Sequence, residues 1–153
     1  MKNNAYYKPH ISEFYFGFEY EFCSVSKVKN EETGKDEHIE EWLPRVVGEG
    51  VWDLQKQIKP FITSNRIRVK CLDNEDITSL GWQALDVQTD SPRFLWKDEG
   101  RILTLRHEYA LRMIYIFDDE VGVGYYCGKC HNKSQLKDIM KNLELIQKKY
   151  VVV

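Results

Sequence analysis

One stretch decides the fold of this chain: Phe14-Tyr15-Phe16-Gly17-Phe18-Glu19-Tyr20-Glu21-Phe22. Every second side chain in it is aromatic, and side chains along a β-strand point to alternate faces of the sheet. The pattern predicts a strand over residues 14–22 whose aromatic face forms one wall of a core. Its other face carries Glu19 and Glu21.

The residues that follow predict the second half of a long hairpin. Residues 30–37 are polar with Gly34 in the middle, which is typical of a turn, and residues 38–47 can return as the second strand. Pro44 has no backbone N–H to donate. We therefore expect this second strand at an edge of the sheet.

The rest of the chain predicts an α+β fold, with one twisted antiparallel sheet of about six to seven strands. Alternating segments predict further strands at residues 66–72, 93–97, 102–107, 112–117 and 121–127. A C-terminal helix over residues 132–145, capped by Asn132 or Ser134, and a shorter helix near residues 51–59 ending at Pro60 should pack on the sheet. Asp73 can cap one or two further helical turns.

Length and charge limit the class of protein. A chain of 153 residues fits a single domain, 1–153, with residues 146–153 as a candidate extended tail. With 22 basic and 24 acidic residues, the chain lacks the broad basic surface of a general nucleic-acid-binding protein. Residues 101–153 hold nine basic and six acidic residues, so an anionic ligand is expected there. The polar N-terminus and the short apolar runs predict a cytoplasmic protein without a membrane span, with reduced cysteines.

The stretch Cys127-Gly128-Lys129-Cys130-His131 contains the CxxC spacing of metal and redox sites. A structural zinc ion needs four ligands, and the chain has no second close cysteine pair. Cys127, Cys130 and His131 are therefore weak metal candidates. The favoured interpretation is two ordinary thiols beside a turn, and no cofactor is predicted.

Glu19 and Glu21 could form a carboxylate pair for acid–base or metal chemistry. The favoured interpretation is a solvated outer face with Arg66, Arg68 or Lys70 across the strand ladder. No nucleophile, phosphate-loop or zinc-protease signature accompanies the pair. We therefore predict that the protein is not an enzyme.

Three stretches resemble a family of small uncharacterised proteins from bacteriophages and prophages of Bacteroidota. They are GFEYEF at 17–22, IRVKCLDNEDITSLG at 67–81 and NKSQLK at 132–137. The resemblance implies a phage-encoded accessory protein that acts in the cytoplasm of an infected bacterium. It implies no activity and no catalytic residues.

These observations predict a non-enzymatic, phage-encoded anti-defence protein that sequesters a small, anionic, nucleotide-derived signalling molecule. Aromatic rings would stack on the base, and Lys or Arg would bind phosphate. One alternative is a protein-interaction module that inhibits a host or phage protein; another is a metal-dependent nuclease or phosphodiesterase built on Glu19, Glu21 and His107. A homo-oligomer stays open. The predicted ligand-binding residues are Trp96, Arg106, Tyr126, Lys129, Lys133 and Lys137.

Overall fold

The computed structural model of this protein describes residues 5–48, 53–98 and 100–146. They form an α+β structure with two antiparallel sheets, one of four strands and one of five, which confirms the predicted class and the predicted strand pairing. The strands are divided between two sheets, whereas one sheet was expected, because each sheet packs on its own hydrophobic core. The first core includes Phe18, Ile67 and Val69, and the second core includes Leu105, Ile114 and Leu136. Two compact units result, residues 1–71 and residues 72–153. That they make up one domain stays a prediction.

The first unit contains the four-stranded sheet in the order β1-β4-β2-β3. Its strands are β1 (Tyr6–Tyr7), β2 (Glu19–Lys29), β3 (Asp36–Val46) and β4 (Ile67–Lys70). The predicted hairpin is confirmed, since β2 and β3 pair along their full length, from Glu19 opposite Val46 to Lys29 opposite Asp36. The edge position predicted from Pro44 is confirmed as well.

The strand predicted over residues 14–22 begins only at Glu19. A 3-10 helix at Ile11–Glu13 precedes it, and Gly17 adopts a left-handed backbone with φ of 88°. Glycine tolerates this conformation, which interrupts an extended chain. The expectation for Phe16 was therefore wrong: its side chain is 63% exposed, while Phe18 is fully buried in the first core.

The shorter helix predicted near residues 51–59 is two short helices, α1 (Leu54–Gln57) and α2 (Lys59–Thr63). Pro60 lies in the first turn of α2, where proline is tolerated because the N–H there has no acceptor within the helix. Pro60 therefore opens a helix, whereas it was expected to end one. The first residues of the predicted helix, 51 and 52, lie outside the described residues.

The second unit contains the five-stranded sheet, whose strands are neighbours in chain order. They are β5 (Gln83–Asp86), β6 (Arg93–Asp98), β7 (Arg101–Glu108), β8 (Met113–Asp118) and β9 (Val123–Lys129). The meander predicted from residue 93 onward is confirmed. Strand β5 was not predicted, because all four of its residues are exposed and show no alternation of apolar and polar residues.

Two helices belong to this unit, α3 (Asn74–Ser79) and α4 (Lys133–Asn142). The predicted caps are confirmed: Asp73 accepts a hydrogen bond from the Asp76 N–H, and Asn132 accepts one from the Gln135 N–H. Ile77 of α3 and Leu136 of α4 join the strands in the second core. The sheet therefore has an inner face, toward these helices, and an outer face.

Of the candidate tail over residues 146–153, residues 147–153 lie outside the described residues. No helix in the described part of the chain is long and apolar enough to cross a membrane.

Candidate functional site

The strand register places a row of polar and aromatic side chains on the outer face of the five-stranded sheet. Arg93, Arg106, Tyr115 and Cys127 are paired in succession across β6, β7, β8 and β9. Paired residues of antiparallel strands project from the same face, and the row alternates with core residues such as Leu105. The row is therefore on the face opposite the second core.

Arg106 is the best defined member of this row. The carbon of its guanidinium group lies 4.5 Å from the centroid of the Tyr115 ring, and its Nε lies 3.3 Å from Oε1 of Glu108. Glu108 is held in turn by a 2.6 Å hydrogen bond from the Ser91 hydroxyl. The Arg106 side chain is 43% exposed, although its Nε is buried and makes no hydrogen bond to any described residue. The guanidinium group is thus positioned by its neighbours and retains donors for a ligand.

Further side chains extend this outer surface. Lys129 is exposed and pairs with Met113 at the end of β9. Tyr125, 41% exposed, is the extra residue of a β-bulge, because Ile116 pairs with Tyr126 and Phe117 with Gly124. Cations and an exposed ring therefore lie on neighbouring strands of one sheet.

The structure divides the six residues predicted to bind a ligand. Arg106 and Lys129 belong to the outer face, but Trp96 pairs with Leu103 and packs against the second core. The Trp96 ring lies 5.6 Å from the Trp82 ring. Trp96 was expected to stack on a nucleobase; the β6–β7 register turns its partly buried indole toward the second core, on the face opposite Arg106.

Tyr126, also expected to stack on a base, packs against the second core too. It pairs with Ile116, and its hydroxyl donates a 3.1 Å hydrogen bond to the Lys129 carbonyl. Desolvation raises the pKa of this phenol, with a smaller contribution from Cys130 and Cys127. The ring is on the same side of the sheet as the core, not on the side of Arg106.

Lys133 and Lys137 lie on α4, whose Leu136 and Met140 are fully buried in the core. This helix packs against the inner face of the sheet. The structure therefore does not gather the six predicted residues into one site, and it leaves Arg106 and Lys129 as the pair that shares a surface.

The two cysteines of the CxxC stretch have different surroundings. Cys127 is exposed on β9, whereas Cys130 is buried and its Sγ lies 3.6 Å from the Asn132 carbonyl oxygen. Burial raises the pKa of the Cys130 thiol to about 12, which keeps it protonated. Among the described residues no group of three or more His, Cys, Asp or Glu side chains could hold a metal ion.

The outer face of the first sheet carries a different arginine cluster. Arg68 donates a 2.7 Å hydrogen bond to Glu21, and Tyr6 donates a second one at 3.2 Å. The Arg68 guanidinium carbon lies 3.8 Å from the Tyr6 ring centroid and 4.1 Å from that of Trp42. The interpretation of Glu21 as a charge-paired surface residue is confirmed.

His107, which the enzyme alternative requires, is only 2% exposed. Burial lowers its pKa to about 4, although Glu108 and Asp73 act in the opposite direction. The imidazole is therefore neutral near pH 7. Its ring centroid lies 4.3 Å from that of Tyr109.

Sequence reasoning did not identify Tyr115 and Arg93 as members of the site. The order of residues 113–117 could have indicated Tyr115, because Ile114 and Ile116 lie on the inner face and Tyr115, between them, lies on the outer face.

No protein-family model, curated protein sequence or solved structure matches this chain.

Proposed function

We propose that this protein is a non-enzymatic binding protein that holds a nucleotide-type ligand on the outer face of its five-stranded sheet. The observation that supports this proposal is the Arg106 guanidinium group, which lies over the Tyr115 ring and belongs to a side chain that is 43% exposed. An arginine held over a ring has a restricted orientation, and the planar fork of its N–H donors suits phosphate oxygens.

The rest of the face supplies the other interactions that a nucleotide needs. Arg93 is exposed at the ladder position beside Arg106, and Lys129 adds a third cation. The exposed ring of Tyr125 offers a stacking surface, and bases stack on aromatic rings of open antiparallel sheets in known RNA-binding modules.

The sequence resemblance to phage proteins suggests what such binding would achieve. A phage protein that sequesters a nucleotide signal in the cytoplasm of an infected bacterium would prevent activation of the host defence that the signal controls. Sequestration requires tight binding and no chemistry, which agrees with the lack of a catalytic signature in the sequence.

A binding experiment with cyclic dinucleotides and ADP-ribose derivatives tests this proposal. We expect at least one of them to raise the melting temperature, as a ligand does when it binds only the folded state, and to be recovered intact after denaturation. Arg106→Gln should abolish the shift, whereas the control Lys141→Gln, on α4, should keep it. If Lys133→Gln removed the melting-temperature shift and Arg106→Gln did not, the ligand would bind away from the outer face. Recovery of a cleaved product would indicate an enzyme.

A second candidate function, binding of a host or phage protein, is favoured by the hairpin of β2 and β3. From Val25 to Lys29 and from Asp36 to Glu40 every residue is exposed, and β3 is an edge strand. Val28 and Ile39, on one face of this hairpin, are 46% and 49% exposed. Exposed edges and apolar patches are common sites of protein association.

A pulldown from host lysate separates the two functions. A single host protein retained in stoichiometric amount by the wild type, but lost with the double variant Val28→Lys and Ile39→Lys, would favour the interaction module. The nucleotide proposal expects the same double variant to keep its thermal shift.

A further inference from the structure

A cavity of about 340 Å³ lies in the first unit, between the segment that follows β1 and helix α2. Its volume is within the range of small-molecule sites. Its lining includes Lys8, His10 and Lys59, and among the residues that the structure describes no carboxylate side chain lines it. The cavity is therefore electropositive although the whole chain carries a net charge of −2.

These three lining residues retain hydrogen-bond donors. The Lys59 ammonium has no ion-pair or hydrogen-bond acceptor among the residues that the structure describes. Lys8 donates one hydrogen bond, of 2.8 Å, to the Asn65 side chain. Because an ammonium group has three N–H donors, two remain on Lys8.

The position of His10 determines which of its ring nitrogens can serve a ligand. His10 caps the 3-10 helix, and its Nδ1 accepts the Ser12 backbone N–H at 3.3 Å. The Ser12 hydroxyl also lies 2.7 Å from Nδ1, so both contacts of the ring are made by this nitrogen and Nε2 has no hydrogen-bond partner among the described residues. The capping interaction thus leaves Nε2 available to a ligand.

The remaining lining residues are mostly apolar. Pro9 and Ile62 are buried, and Ile11 is half-buried. Ile62 belongs to the first core, so this wall is fixed by packing. A ligand that matches this lining has both an anionic group and an apolar body.

We infer that this cavity binds a small organic phosphate monoester, with Lys8, His10 and Lys59 around the phosphate and the body of the ligand against Ile11 and Ile62. A phosphate monoester offers several strong acceptor oxygens, enough for all three residues. This site is independent of the outer face proposed above, since it is built from the first unit alone.

Phenyl phosphate is the probe, and NMR titration of the full-length protein is the measurement. We expect saturable shifts of the Ile62 and Thr63 amide signals, weaker binding of inorganic phosphate, and none of phenol. Lys59→Gln and Lys8→Gln should each weaken phenyl phosphate binding about tenfold. Lys56→Gln is the matched control, because Lys56 lies on α1 outside the cavity, and it should change nothing.

The variant Arg106→Gln distinguishes binding in this cavity from binding on the outer face of the five-stranded sheet. It should leave phenyl phosphate binding unaltered. The spectra of the variants show directly that each is folded. Three results would each overturn the inference. Phenol would bind as tightly as phenyl phosphate, Lys59→Gln and Lys56→Gln would have equal effects, or the amide signals of Ile62 and Thr63 would not shift.

Discussion

The guanidinium carbon of Arg106 lies 4.5 Å from the centroid of the Tyr115 ring on the outer face of the five-stranded sheet. Arg68, on the first sheet, is bound differently, because two rings enclose it and Glu21 accepts its Nε–H. Arg68 is thereby satisfied within the protein. Among the described residues, Arg106 lies over one ring, that of Tyr115, and beside Glu108, and its 43% exposed side chain leaves donors accessible to a ligand.

Replacement of the ring beneath Arg106 should reduce nucleotide affinity. Tyr115→Leu removes the stacking that orients the guanidinium group, an interaction worth about 0.5–2 kcal/mol, so the dissociation constant should rise about 2- to 30-fold. Isothermal titration calorimetry measures the change. Tyr115→Phe keeps the ring and should bind like the wild type; equal losses in both variants would contradict a role of the ring.

Removal of the Arg68 charge should destabilise the protein. Arg68→Met keeps an apolar stem but leaves the half-buried Glu21 carboxylate without its counter-ion and removes the contacts with Tyr6 and Trp42. We expect a loss of about 1–3 kcal/mol in the free energy of unfolding by urea. Lys56→Met, which breaks an ion pair whose lysine is 79% exposed, should change stability by less than about 0.5 kcal/mol.

His107 should make stability depend on pH. Its pKa is about 4 in the folded protein against 6.5 in the unfolded chain, so between these values the unfolded state binds more protons. The contribution is complete above about pH 6.5 and is lost as the pH falls toward 4, and it amounts to about 3 kcal/mol.

Unfolding measured near pH 7 and near pH 5 tests this dependence. His107→Phe keeps an aromatic ring and removes the titrating group, so the variant should lose less stability than the wild type between the two pH values. Identical losses in the two proteins would contradict the assignment.

Gly81 should not tolerate a side chain. Its φ is 101°, and an added Cβ would lie 2.8 Å from a carbon of the Trp96 ring. Gly81→Ala should lower the free energy of unfolding by about 2 kcal/mol or more, through backbone strain and displacement of the indole. Gly124→Ala is the control, since a Cβ added at Gly124 would meet nothing within 4 Å, and the melting temperature of this variant should be close to that of the wild type.

Cys127 and Cys130 should differ in reactivity. Cys127 is exposed, while Cys130 is buried with a pKa of about 12, and only a thiolate reacts rapidly with iodoacetamide. Mass spectrometry of the native protein after brief alkylation should find Cys127 modified and Cys130 unmodified. Denaturation before alkylation should make the two react alike, and equal labelling in the native state would contradict the burial of Cys130.

Local patterns in the sequence were enough to predict several elements. The polar segment around Gly34 predicts the turn of the long hairpin. Pro44 predicts an edge strand, because its backbone has no N–H to donate to a neighbouring strand. Asp73 and Asn132 identify their helix starts for a similar reason, since a cap bonds to backbone only three residues away.

The sequence by itself therefore determined the α+β class, the antiparallel pairing and the helix caps, all of which depend on neighbours along the chain. Only the tertiary structure decided which rings are inside. Trp96 and Tyr126 carry an apolar ring with one polar atom and suit a core or a surface equally, so the register of β6 and β9 settled their direction. The cavity depends in the same way on long-range packing, because its lining combines Lys8 and Lys59, which are far apart in the chain.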